Sequence, residues 1–400
     1  MSPLIHPDEA FKQILRHLPK SGRISCPLAA CAGRVLRETI CADRPFPPFD
    51  RAMLDGFALR AAETGTSEPF IITAQAPAGH PQMRLAKQAR SCVEIMTGAM
   101  LPRGADCIVP YEDTQRLDEG HMRIKGGGRY EPGQAVHLRG SDHAAEAPLL
   151  APGVRLGSRE IAVAATCGAE HLQVSEIPSI AIAGSGDELV DPSARPEPHQ
   201  IRRSNDLTIL AALAREGFPA RQRITLPDNA EACLRELRSL VKNNTFVILS
   251  GGLSAGRKDH LPSVLNELGL IGVFHGVAQK PGKPMGFWYH RDGVVFALPG
   301  NPLSTLSCLH HYVIPALQAA QQRTQRHPAR AVRLRCPVRV RKDFTVFMPV
   351  RLEEENRAVA VPPQNSGDLV AILRSDGYLL IPDGVAEADE SMALAFHPWY

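Results

Sequence analysis

The sequence predicts a multidomain α/β protein. It should have a central three-layer α/β domain, an N-terminal mixed helical part with an inserted small β domain, and a C-terminal β-barrel-like domain. Three observations carry this prediction. The chain has 400 residues, too many for one hydrophobic core and about three domains by length. Three short apolar runs, 179–183 (SIAIA), 246–249 (FVIL) and 294–298 (VVFAL), are each broken by a glycine-bearing polar loop. That is the texture of strands buried on both faces and followed by helices. Two other stretches, 70–132 and the chain beyond Arg323, read as short strands punctuated by Gly and Pro.

Taken in order, residues 8–18 (DEAFKQILRHL) have an amphipathic helical spacing, and residues 26–36 (CPLAACAGRVL) read as a second, short helix closed near Gly33. In 43–59 (DRPFPPFDRAMLDGFAL) three prolines impose an extended lead-in. Asp50, Arg51 and Asp55 then bring charge into apolar surroundings. A buried carboxylate is costly unless paired or facing a ligand, so Asp50 or Asp55 either pairs with Arg51 in a structural turn or serves a site. The segments FIITAQA, CVEIMTG, CIVPYED and HMRIKGGG are the strands of the inserted β domain, with Thr97 and residues 111–113 at strand ends. A loop Arg139-Gly140-Ser141-Asp142 and a helix over 158–166 capped by Ser158 follow.

Within the three-layer domain, helices are expected over 204–216, 229–243, 261–268 and 303–321. Asp228 with Glu231 three residues on fits a capping box. Strands over 331–341, 344–352, 358–361 and 377–381 make the C-terminal domain. The expected boundaries are 1–45 with 133–176 for the N-terminal mixed domain, 46–132 for the insert, 177–325 for the α/β domain and 326–400 for the last.

The site is read from the loops. After 246–249 comes SGGLSAGRKDH, whose glycines allow positive φ and bare backbone N–H groups ahead of a helix start, a place suited to an anion. The second run is broken by Gly184-Ser185-Gly186 followed by Asp187 and Glu188, and the third by Pro299-Gly300-Asn301-Pro302. Loops leaving the carboxyl ends of parallel strands share one rim, where ligands of open α/β sheets bind. Lys280-Pro281-Gly282-Lys283-Pro284 adds two lysines on a proline-stiffened turn able to meet a phosphate.

Composition narrows the partners. A net charge of +3, with Lys and Arg spread along the chain, argues against a nucleic-acid surface. No run approaches the ~18 apolar residues of a membrane span, and the first residues lack a signal-peptide core, so a cytoplasmic protein is expected. The 9 cysteines include no C-x-x-C pair, which favours reduced thiols over zinc or disulfides. His310 and His311 are adjacent on an expected helix and point about 100° apart, a poor arrangement for a shared metal.

In order along the chain, MLDGFAL, EIMTGAMLPRGAD, GSGDEL, SGGLSAGRKDH, KPGKP and LPGNPLS resemble the molybdopterin molybdenumtransferases, known as MoeA in bacteria and as the E domain of gephyrin in animals. The resemblance spans essentially the whole chain. It implies a homodimer whose central domain is a Mog-like molybdopterin-binding domain. The implied reaction is the last step of molybdenum cofactor biosynthesis: Mg²⁺-assisted insertion of molybdate into adenylylated molybdopterin, with release of AMP. By position it assigns Asp259, Glu188 and Asp228 to the metal and the nucleotide phosphates, and Lys280 and Lys283 to phosphate or molybdate. Ser250, Gly251, Gly252 and Ser254 would cradle phosphate. Pro299, Gly300, Asn301 and Pro302 would shape the oxyanion side. Asp55, Thr97 and Asp142 would complete the cleft across the dimer. Implied partners are molybdopterin-adenylate, the Mog-type adenylyltransferase and molybdoenzyme targets, with neither nucleic acid nor membrane. Ala52-Met53-Leu54 stands where the family pattern has Ser-Ala-Met, and Gly276 where a basic residue is frequent; both reduce polar or positive groups near the expected cleft. The alternative reading is a non-catalytic molybdopterin-binding or scaffold paralogue. A third, adenylyl transfer, would need only the middle domain.

Overall fold

The computed structural model describes residues 3–227, 229–252, 261–324, 330–354 and 356–399. The chain divides into two compact units, residues 1–37, 152–157 and 172–400 in one and residues 38–151 and 158–171 in the other.

The first unit is built on a six-stranded sheet of β1 (Ile180–Ser185), β2 (Gln222–Leu226), β3 (Phe246–Ser250), β4 (Ile271–His275), β5 (Gly286–His290) and β6 (Gly293–Leu298), in the order β2-β1-β3-β6-β5-β4. The first four strands across are parallel; β5 runs antiparallel to β6, and β4 antiparallel to β5. Its helices are α1 (Asn205–Arg215), α2 (Ala230–Asn243), α3 (Leu261–Glu267), α4 (Pro302–Cys308) and α5 (Ile314–Ala320), the last two joined by a π turn over Leu309–Val313.

Alternation explains the three layers. Ile180, Ile182, Phe246, Ile248, Val294 and Phe296 pack with Ile209 and Leu213 of α1 and with Leu306 and Leu317 of α4 and α5. The intervening Ala181, Ala183, Val247, Leu249, Val295 and Ala297 pack with Leu237 and Leu240 of α2 and Val264 and Leu265 of α3. Side chains alternate along a strand, so a continuous apolar run is required when both faces are covered. Each of the large side chains contributes about 1.5–3 kcal/mol on burial. The chain leaves β1 by α1 to β2 on one side, then returns by α2, on the opposite face, to β3 on the other side. The strand order therefore reverses between β1 and β3, which opens a crevice at their carboxyl ends.

Two local expectations are overturned here. Residues 26–36 do not form a helix: Arg23–Pro27 is a strand paired with His171–Ser175, and only Leu28–Ala30 makes a 3₁₀ turn. Pro27 disfavours helical backbone at Cys26. The cap of α2 is Asn229, whose side chain accepts from the N–H of Ala232 at 3.1 Å, in place of the expected Asp228.

In the C-terminal region Thr345–Glu354, Arg357–Ala360, Arg330–Leu334, Leu394–Pro398 and Gly377–Ile381 pair in that order, and the last returns to the first. This closes a five-stranded barrel around Val332, Val350, Leu379 and Ile381. Gln279–Lys280 joins it as a sixth strand, parallel to Thr345–Val346. The single strand expected over 331–341 is two, Arg330–Leu334 and Val338–Arg339, because Pro337 has no N–H for the ladder.

The second unit holds a six-stranded sheet ordered Cys107–Pro110, Gly56–Leu59, Ser91–Ile95, Phe70–Ala76, His121–Ile124 and Thr114–Arg116. Gly56–Leu59, read from sequence as part of an extended lead-in, is a strand with all four residues buried. A Cβ at Gly56 would strike the carbonyl of Val109. The helix Ser158–Thr166 also belongs to this unit. Among the described residues no helix is long and apolar enough to cross a membrane.

Candidate functional site

At the carboxyl ends of β1, β3 and β6 lies a cavity of about 670 Å³. Ser185, Gly186 and Glu188 enter it after β1, Ser250-Gly251-Gly252 after β3, and Pro299 to Pro302 after β6; the start of α1, Ser204 to Asp206, closes another side. Glycine permits this approach. Gly251 and Gly252 have φ of +94° and +70°, a region that costs other residues strain. A Cβ on Gly251 would lie 2.5 Å from the carbonyl oxygen of Ser185.

The loops are bonded to one another. The Gly251 N–H donates to the carbonyl of Leu298 at 3.1 Å, tying β3 to β6. Asn205 Nδ2 donates to Ser250 Oγ at 3.0 Å and to the Gly300 carbonyl at 2.6 Å. Thr305 Oγ1 donates to the Pro299 carbonyl at 2.6 Å. Asn301 Nδ2 donates to Ser366 Oγ at 2.6 Å, and the neighbouring Gly367 reaches the cavity from the C-terminal region. Gly251 and Ser250 thus serve the framework of the rim. Gly252, the start of α1, whose cap Ser204 makes no side-chain cap bond and whose Leu207 N–H is taken by Asp206, and the cavity-lining Arg202 and Arg203 stand as the donors for an anion.

A charged network lines the cavity at the start of α1. Asp206 is 4% exposed and accepts from the N–H of Leu207 at 3.0 Å, with Arg223 at 3.5 Å and Arg203 at 3.7 Å. Arg203 also donates to Asp191 at 3.0 Å and to Thr225 Oγ1 at 2.9 Å. The Asp191 carboxyl is held below the usual range, first by the Ser193 hydroxyl and N–H and then by Arg203. The buried carboxylate is thereby compensated.

Glu188 is exposed on the cavity, its carboxylate folded over Gly186. Asp228, Ser254 and Asp259 lie outside the described residues. Among the described residues no group of three or more His, Cys, Asp or Glu is placed to hold a metal. Lys280 and Lys283 are exposed; the last residue of their turn, Pro284, lines the cavity, whereas the lysines do not.

In the second unit, Asp55 Oδ1 accepts from the N–H of Thr97 at 2.6 Å and from its hydroxyl at 2.7 Å. These two donors hold the Asp55 carboxyl below the usual carboxylate range. Asp142 accepts from His137 at 2.8 Å, which lowers its pKa, and the other ring nitrogen of His137 faces the Arg51 guanidinium at 3.1 Å. Of the two alternatives left open by the sequence, the pairing of Arg51 with Asp50 or Asp55 does not form: Asp50 accepts from the N–H of Arg139 at 2.8 Å. Arg51 and Asp55 are exposed and Asp50 is partly so, so the charges have no apolar surroundings to answer to.

Sequence reasoning missed Arg203, Asn205, Asp206, Thr305 and Ser366. The available signal was RRSND at the start of a helix that follows the first glycine-broken strand.

Comparison with known proteins agrees with this architecture. Residues 5–168 match the MoeA N-terminal region (domain I and II), 181–319 a domain described as "Probable molybdopterin binding domain", and 331–398 the MoeA C-terminal region (domain IV). The molybdopterin molybdenumtransferase of Synechocystis sp. is 36% identical over 397 residues, 98% of each chain. Gephyrin of Dictyostelium discoideum is 30% identical over 353 residues, 78% of this chain and 49% of that one. A solved molybdopterin biosynthesis MoeA protein from Pyrococcus horikosii superposes with a TM-score of 0.82 at 28% identity, covering 100% of both chains. The chain belongs to the molybdopterin molybdenumtransferase family, enzymes of molybdenum cofactor biosynthesis.

Proposed function

We propose that this transferase inserts molybdate into adenylylated molybdopterin and releases AMP, with Mg²⁺ assisting, as a homodimer in the cytoplasm. The observation that carries the reading is the crevice at the strand-order reversal, where Gly252, the first turn of α1 and the loop after β6 surround a cavity large enough for a nucleotide-sized ligand. Backbone N–H groups and a helix start favour phosphate without a titrating side chain.

The cofactor's chemistry is to withdraw charge from the phosphoanhydride as it is cleaved. Mg²⁺ prefers hard oxygen ligands, and Glu188 at the cavity edge with Asp228 and Asp259 would supply them. In this reading Ser250 and Gly251 hold the rim rigid, Gly252 donates to phosphate, and Ser254 would extend the cradle. Pro299, Gly300, Asn301 and Pro302 shape the wall where the oxyanion approaches, and Lys280 and Lys283 attract the molybdate dianion. The reading also assigns Asp55, Thr97 and Asp142 to the reaction; what supports it is that Thr97 keeps Asp55 ionised and His137 keeps Asp142 so.

Purified protein given adenylylated molybdopterin, molybdate and Mg²⁺ should release AMP, and Asp259→Ala should abolish release while leaving the melting temperature within a few degrees. Tight binding of the adenylate without turnover by the unaltered protein would instead make it a molybdopterin-binding or scaffold paralogue.

A further inference from the structure

The KPGKP turn is held from behind by a buried polar relay. Gln279, fully buried, immediately precedes Lys280. Its carbonyl Oε1 accepts from the hydroxyl of Tyr312, itself fully buried in the π turn between α4 and α5. Its Nε2 donates to Cys308 Sγ at 3.3 Å. Burial pushes the Cys308 thiol up to about 12, so it keeps its proton, and its S–H points to the carbonyl of Gly282 at 4.0 Å. Gly282 sits between the two lysines with φ of +98°. A Cβ there would lie 2.5 Å from Gln279 Nε2 and 2.6 Å from Cys308 Sγ.

Three parts of the fold meet at Gln279. Its backbone pairs with Thr345 of the barrel, and the preceding Ala278 bonds to both Ile5 and Thr345. A π turn widens a helix by one residue and recurs at functional positions; here it carries the Tyr312 that reaches Gln279. A buried amide must satisfy its donor and acceptor in one orientation, so the relay admits few arrangements of the turn.

The geometry points to Gln279 and Tyr312 as positioning residues that set the spacing of Lys280 and Lys283 for a tetrahedral metal oxyanion. This inference rests on the proposed role of the two lysines in binding molybdate. Neither Gln279 nor Tyr312 touches the substrate; both act through the backbone of the turn. Two lysines on a loose turn would each have to be ordered by the anion, whereas on a pinned turn that cost is already met.

The test is molybdate binding by calorimetry, together with the molybdate dependence of AMP release, for wild type, Tyr312→Phe, Gln279→Met, Lys280→Ala and Lys283→Ala. Tyr312→Phe removes a single oxygen and keeps the packing, which guards against simple unfolding. Positioning predicts that Tyr312→Phe and Gln279→Met weaken molybdate binding about tenfold and raise the half-saturating molybdate to match, with the maximal rate changed less than about threefold and AMP binding unaltered. A lower melting temperature with unchanged molybdate affinity would overturn the inference and leave the relay purely structural. If the lysine variants themselves bind molybdate like wild type, the underlying role of the turn fails instead.

Discussion

The crevice above β1 and β3 and the KPGKP turn both suit anions, but by different means. At the crevice the rim is locked by bonds that run from loop to loop, Asn205 to Ser250 and Gly300, Gly251 to Leu298, Thr305 to Pro299, and its backbone donors stand beside Arg202 and Arg203, which line the same cavity. At the turn the groups are two exposed ammonium ions whose base is fixed by Gln279, Tyr312 and Cys308. Fixed dipoles suit a phosphate whose position must not vary during cleavage. Charges on long flexible stems suit an oxyanion that must arrive and then be handed on.

Substitutions can break this division of labour. Gly251→Val should have the largest effect, because φ of +94° and the Ser185 carbonyl at 2.5 Å both oppose a side chain. AMP release should fall at least about a hundredfold and AMP binding should be lost in calorimetry, while molybdate binding persists.

Acid should act through the histidines of and around the π turn. His311, in the π turn beside Tyr312, bonds to Tyr378 and packs against His397 and Phe347. Burial pushes its pKa from 6.5 to about 3, and that of His310 to about 4; His397 is lowered in the same way. These imidazoles stay neutral when folded but protonate near 6.5 when unfolded, so stability is full above pH 6.5 and is lost as pH falls toward 3. The loss is on the order of a few kcal/mol. Thermal melts from pH 7 to pH 4 should show it, and His311→Phe should flatten the dependence.

Asn205→Ala sharpens the comparison from the other side. It should weaken AMP binding about tenfold by freeing Ser250 and the loop after β6, with molybdate affinity unchanged by calorimetry. The smallest expected effect is that of Asp55→Asn on stability. Asp55 is exposed, so its melting temperature should move by no more than a degree or two even if AMP release suffers.

The buried strands were legible because both faces are covered: IAIA and FVIL need no alternation to be recognised. Their order in the sheet was not, since pairing depends on residues far apart in sequence. Gly56–Leu59 escaped because it reads with the proline-rich lead-in before it, and only the approach of Val109 explains its glycine. Within the rim, the glycine loops announced themselves by composition. Asn205 did not, because an asparagine after a cap serine looks like ordinary helix-start chemistry until Ser250 and Gly300 are seen beside it. Gln279 escaped for the same reason: a polar residue before KPGKP reads as surface, and its burial comes from the barrel and the π turn, both distant in sequence.

The most direct test is a crystal structure of the protein with AMP. The account predicts the phosphate beside Gly252 and the first turn of α1, within hydrogen-bonding reach of their N–H groups. AMP ordered elsewhere on the chain, with the space above β1 and β3 empty, would contradict it.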